Sequence, residues 1–131
     1  MGANQEELMD IYQKQVRSVL ELAVPAWQGA ITQEDKNEIE RVQKVLGGQY
    51  VSYKSALKYT GMETLESRRV KLCLKFARKA EKHPKHKAWF KPCNKTANTR
   101  QEKPRYCPVV ANKGRYKKSP ISYLTSLLNN Q

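Results

Sequence analysis

Four side chains in the second half of the sequence, His83, His86, Cys93 and Cys107, are of the types that bind zinc. The two histidines have a ligand-like spacing, but Pro84 lies between them and no Cys-x-x-Cys pair completes a zinc knuckle. No metal site is expected. The histidines read as solvated groups by a helix C-terminus, where positive charge is favoured. Catalysis is argued against more firmly. Asp10 and Asp35 are the only aspartates, and both fall on the solvent side of helical patterns. There is no G-x-S-x-G, no Walker loop and no Cys/His nucleophilic arrangement. Two-metal phosphoryl chemistry needs clustered carboxylates, and residues 68–131 hold only Glu81 and Glu102. The chain is expected not to be an enzyme on its own, and no cofactor is expected.

What the second half does hold is cations. The 131-residue chain has a formal net charge of +13. Residues 1–67 carry seven Lys/Arg against ten Asp/Glu, a net of −3, while residues 68–131 carry eighteen against two, a net of +16. Such segregation points to a polyanionic partner for the second half. The densest stretch is "RRVKLCLKFARKAEKHPKHKAWFKP", residues 68–92. At about 100° per residue, Leu65, Val70, Leu72, Cys73, Leu74, Phe76, Ala77 and Ala80 share one broad arc, which Arg69 interrupts. Arg68, Lys71, Lys75, Arg78, Lys79 and Lys82 fall on the opposite side. Lys71–Lys75, Lys75–Lys79 and Arg78–Lys82 are like-charge pairs at i,i+4, each costing about 0.2–0.5 kcal/mol in a free helix. Folding alone would not favour them, whereas phosphate neutralisation removes the repulsion and releases counterions. An acidic protein, a membrane surface or a plain solvated face would also accommodate cations, but nucleic acid accounts best for the missing acids. Aromatics lie among the cations as well, in Trp89-Phe90-Lys91, Arg105-Tyr106 and Arg115-Tyr116-Lys117-Lys118. This interleaving suits base stacking beside phosphates, and equally suits docking of the tail onto helices.

The elements that must position these residues read as helices. Leu8, Ile11, Tyr12, Val16, Val19, Leu20 and Ala23 recur at helical spacing over residues 5–23, with Pro25 as the stop and Trp27 as a core anchor where the chain reverses. A second helix starts near Thr32, whose pairing with Asp35 resembles a capping box. Its stripe is Ile39, Val42, Val45 and Leu46, and Gly47-Gly48 close it. A third, short helix covers Ser52 to Tyr59 and ends before Gly61. The fourth begins after Thr64 as N-cap and is stopped by Pro84. Beyond Pro92 the sequence is polar and broken by proline and glycine, which predicts an extended or disordered tail. Ser119-Pro120 then starts a last short helix. The expected fold is all-α: a helical domain of three to four helices over residues 1–91, then a basic, Pro-interrupted tail over 92–131 with a short C-terminal helix. No stretch is apolar enough to span a membrane, and neither a signal peptide nor a myristoylation site is read at the N-terminus. Three widely spaced cysteines do not make a disulfide framework. An intracellular protein, nuclear or cytoplasmic and not secreted, is expected.

Several segments together resemble a known family. "SVLELAVPAW" (residues 18–27), "IERVQK" (39–44), "LESRRVKLCLKFA" (65–77) and "RYCPVV…RYKKSPISYLTSLL" are similar to the C-terminal part of reverse transcriptases from jockey-like non-LTR retrotransposons, downstream of the polymerase palm. The similarity runs from about Gly2 to Leu128. It implies a helical thumb-side region handling template RNA or target DNA during RNA-directed DNA synthesis. The family's catalytic aspartates belong to its palm, and no position here matches that motif. The family also carries further apolar residues between "RVQK" and "LG", which implies a shortened second helix here and a truncated or decayed element copy.

The functional expectation is therefore a reverse transcriptase fragment without the palm. It keeps a basic helix that binds the backbone of RNA or DNA without reading sequence. Arg68, Lys71, Lys75, Arg78, Lys79 and Lys82 contact phosphates, supported by Lys85, Lys87 and Lys91. The partners expected are nucleic acid and the rest of a reverse transcriptase, with no membrane. The competing reading is a protein-interaction module, or the orphaned interface of a larger polymerase.

Overall fold

The computed structural model describes residues 2, 4–45, 52–94 and 104–131. The regular elements among the described residues are helices, with one isolated antiparallel bridge between Pro92 and Tyr106. The chain forms two compact units: residues 1–24 with 31–69, and residues 25–30 with 70–131.

The first unit opens with a helical run made of α1 (Gln5–Ile11), a π-helical turn (Tyr12–Val16) and α2 (Arg17–Leu20). Of its expected apolar stripe only Tyr12 is buried. Leu8, Ile11, Val16 and Val19 lie exposed at 47%, 52%, 38% and 70%. A π turn inserts about one extra residue, which rotates the next turns of helix by roughly 100° and breaks the stripe in two. The run ends at Leu20, before the expected stop. Ala23 takes a left-handed conformation with φ 52°, and Pro25 falls within the first turn of α3 (Val24–Trp27), where its missing N–H leaves no helical bond unmade.

Helix α4 (Gln33–Val45) starts as its sequence predicts. The Asp35 carboxylate accepts from the Thr32 N–H at 2.9 Å and its hydroxyl at 2.8 Å, and the Asp35 N–H donates back to Thr32 Oγ1. Those two bonds hold the Asp35 carboxyl below its usual range. Leu46, Gly47 and Gly48 lie outside the described residues. Helix α5 (Tyr53–Thr60) is capped by Ser52, whose side chain accepts from the Ser55 N–H, and stops at Gly61, left-handed at φ 65°. Helix α6 (Leu65–Lys82) begins after Thr64, which accepts from the Ser67 N–H.

The first unit is centred on a polar residue. Gln43, 2% exposed, accepts from the Tyr12 hydroxyl at 3.0 Å and donates to the Tyr53 hydroxyl and the Glu63 carbonyl, each at 2.9 Å. One turn back, Glu40 accepts from the Tyr53 hydroxyl and from the Leu65 and Glu66 N–H groups, so it caps α6 from another helix. Burial pushes the Tyr12 hydroxyl up to about 12, and raises that of Tyr53 further with Glu40's help. The folded state therefore keeps the Tyr12 proton that an unfolded chain loses near pH 10. The stabilisation from this group is complete below about pH 10 and is lost as pH rises through about 12. Thermal melts between pH 9 and 12, with tyrosinate absorbance read alongside, should show the loss. Tyr12→Phe should melt lower at neutral pH and depend less on pH in that window.

The second unit is built around the rest of α6. Cys73, Ala77 and Ala80 are buried on it, with Gln28, Phe90, Tyr106, Leu124, Thr125 and Leu128 completing the core. After a 3₁₀ turn (Lys87–Trp89), Lys91 and Cys93 pair through their backbones with residues 105–107. The expected tail is thus tied down where it resumes. Asn129 on α8 (Pro120–Asn129) clamps Tyr106, accepting from its N–H at 2.8 Å and donating to its carbonyl at 3.0 Å. Ser119 caps α8 with Pro120 in its first turn, as the sequence predicts, preceded by the short helix α7 (Gly114–Lys117). Gly29 is where the chain closes on itself. A Cβ there would lie 2.8 Å from the Tyr123 Cβ and 3.3 Å from the Lys118 carbonyl oxygen. Gly29→Ala must push α8 aside. It is expected to destabilise this unit by about 1–3 kcal/mol, measurable as an earlier urea midpoint at unchanged m.

Candidate nucleic-acid interface

An 18-residue helix carries the basic face, and α-helical spacing sorts its side chains. The buried positions 65, 69, 73, 77 and 80 descend at intervals of four, four, four and three. Lys71, Lys75, Arg78, Lys79 and Lys82 point away from that line and are exposed. Among the described residues, no ion pair joins Lys75, Arg78, Lys79 or Lys82 to a carboxylate. Arg78 donates to the Gln131 side chain at 2.7 Å, a neutral partner that leaves the charge uncompensated. From Lys71 to Lys82 the helix rises about 16 Å, a reach over which duplex DNA presents a phosphate about every 1.7 Å of its axis.

The remaining predicted residues divide. Lys85, Lys87 and Lys91 are exposed in the segment after α6. Arg68 belongs to the first unit and is engaged there. Its Nε and Nη2 donate to the two Glu21 oxygens at 2.5 and 3.0 Å, a bidentate pair that raises the guanidinium pKa. Arg69, which interrupts the apolar arc in the sequence, is 1% exposed. Arg105 and the Tyr106 hydroxyl both donate to Glu81, so the lone acid of the basic stretch anchors residues 104–107, and among the described residues Lys75, Lys79 and Lys82 have no ion-pair partner.

The aromatics interleaved with cations separate into two sets. Phe90 and Tyr106 are buried with ring centres 5.7 Å apart, which is the docking role. Trp89 and Tyr116 remain exposed, at 37% and 56%. No three of His, Cys, Asp and Glu among the described residues are placed to hold a metal ion. Asp10 pairs with Lys14 and Asp35 caps α4. No described helix is long and apolar enough to cross a membrane. No family model matches the chain, and no curated protein or solved structure matches it either.

Proposed function

We propose that the chain is a post-palm, thumb-side segment of a jockey-like non-LTR retrotransposon reverse transcriptase. It would have no polymerase activity of its own and would act inside the cell by holding RNA or DNA through its basic helix without reading sequence. The observation that carries the binding role is the face Lys71, Lys75, Arg78, Lys79 and Lys82: exposed, on one helix, and with no acid interleaved on it. Support for the absence of catalysis is that both aspartates are engaged in local helix-stabilising contacts. The assignment to the reverse transcriptase family rests on the sequence segments alone. Phosphate contacts are indifferent to base identity. Labelled duplexes of equal length and unrelated sequence should therefore bind with equal affinity, and an RNA duplex should compete with a DNA duplex. A preference above about tenfold, or about 1.4 kcal/mol, for one sequence would overturn the backbone-binding reading.

The exposed apolar residues Leu8 and Ile11 before the π turn, and Val16 and Val19 at and after its end, favour a second reading for the first unit, as an interface that a larger assembly covers. Sedimentation at rising concentration in high salt separates the two. A phosphate-binding module stays monomeric there, while an uncovered apolar interface associates more strongly.

A further inference from the structure

Trp89 and Tyr116, the exposed members of the aromatics interleaved with cations, open onto one cleft. It has a volume of about 400 Å³ and is also lined by Lys91, Pro108, Val110 and Ile121. That volume falls within the roughly 300–1,000 Å³ usual for ligand clefts. Among the described residues, no carboxylate lines it. Val110 is 89% exposed, an apolar cost to the free protein that a covering ring would remove. Trp89 is also held in place. The His83 and His86 rings stack at 4.3 Å between centres and 25°, and His86 stacks on Trp89 at 4.3 Å and 22°. The indole thus ends a column of three near-parallel rings, which fixes its orientation at little further entropic cost. Cations flank both aromatics along the chain: Lys85, Lys87 and Lys91 around Trp89, and Arg115, Lys117 and Lys118 around Tyr116.

We propose that this cleft takes an unpaired base of a single-stranded nucleic acid, which extends the His83–His86–Trp89 column by one ring while the flanking cations hold its phosphates. The inference rests on the basic-helix reading for its polyanion and adds a strand state: duplex on α6, unpaired strand at the cleft. A base inside a duplex has no free face to offer. An acidic peptide would satisfy the cations but leave both aromatics uncovered. Ring stacking and phosphate contact do not depend on the sugar, so deoxyribose and ribose strands should bind alike.

The test uses the whole chain and four probes: dT12, rU12, a dA12·dT12 duplex and an oligoglutamate of matched charge. Indole fluorescence and anisotropy are both read. The expected result is quenching by dT12 and rU12 to the same extent, with no quenching by the duplex or the oligoglutamate. Trp89→Leu and, separately, Tyr116→Ala should weaken dT12 binding roughly 5- to 100-fold and leave duplex affinity within about twofold. Tyr116 is more than half exposed, so its replacement reports on the cleft even where Trp89→Leu perturbs folding. Unchanged dT12 affinity in the Tyr116 variant, with duplex binding intact, overturns the cleft and leaves the helix reading standing. Quenching by oligoglutamate equal to that by dT12 replaces the unpaired strand with an acidic peptide. Failure of all probes to bind at low salt overturns both readings.

Discussion

Replacing Lys71, Lys75, Arg78 and Lys82 together with glutamine is expected to reduce the salt dependence of duplex binding by about 3 to 4 units of log–log slope. Each phosphate neutralised contributes about 0.9 to that slope on B-DNA. All four side chains are exposed on the second-unit part of α6, so glutamine should be tolerated there. Removing the like-charge pairs at i,i+4 should even favour the helix by a few tenths of a kcal/mol per pair. A variant that melts no lower than the parent but loses affinity separates binding from folding. Arg68→Gln is the internal control. Glu21 already compensates that charge with two hydrogen bonds, so its loss should lower stability and leave the slope unchanged. Titrations at several salt concentrations, with melts of each variant, read both quantities.

Gln43→Leu is expected to be the most damaging single change in the first unit, by about 2–4 kcal/mol. The side chain is of similar size, so the loss is not chiefly one of packing. What disappears is the acceptor for the Tyr12 hydroxyl and the donor to the Tyr53 hydroxyl and the Glu63 carbonyl. Each buried polar group left unsatisfied costs about 1–3 kcal/mol. Tyr53 keeps Glu40 as acceptor, which limits its share. Against a total stability of about 5–15 kcal/mol for a small domain, that is a large fraction. Pairing Gln43→Leu with Tyr12→Phe should cost less than the sum of the two, because the double variant removes both partners of one bond. Urea unfolding of the four proteins of that cycle measures the coupling.

Local features were legible in the sequence and long-range ones were not. The Thr32/Asp35 box, the Gly61 stop, the Thr64 cap and the Ser119-Pro120 start all stand as read, while Ser52, read as the first helical residue, is the cap of α5. Each depends on residues only a few positions apart. Helical periodicity picked out Ile39, Val42 and Val45 as the inward stripe of α4, yet the residue most buried on it is Gln43, and Val45 is 76% exposed. A glutamine enters a core only when its partners are in place, and one of these, Tyr12, lies 31 residues away. Adjacent Trp89 and Phe90 could not be told apart by sequence, because a tertiary neighbour, Tyr106, decides which ring is covered. The same holds on the basic helix. Arg68 and Lys75 read alike as cations on one face, and Glu21, 47 positions away from Arg68 in the chain, distinguishes them. The tail read as loose because its ties, Glu81 to Arg105 and Tyr106 and Asn129 to Tyr106, also join residues far apart in the chain.

The central claim is that α6 is a phosphate-binding surface. The most direct measurement is the affinity of the unmodified chain for a labelled DNA duplex from 50 to 200 mM salt. Neutralisation of about five phosphates predicts a log–log slope of roughly −4 to −5, a fall of roughly 10²- to 10³-fold across that range. Absence of binding at 50 mM salt, or an affinity that does not change with salt, would contradict the claim.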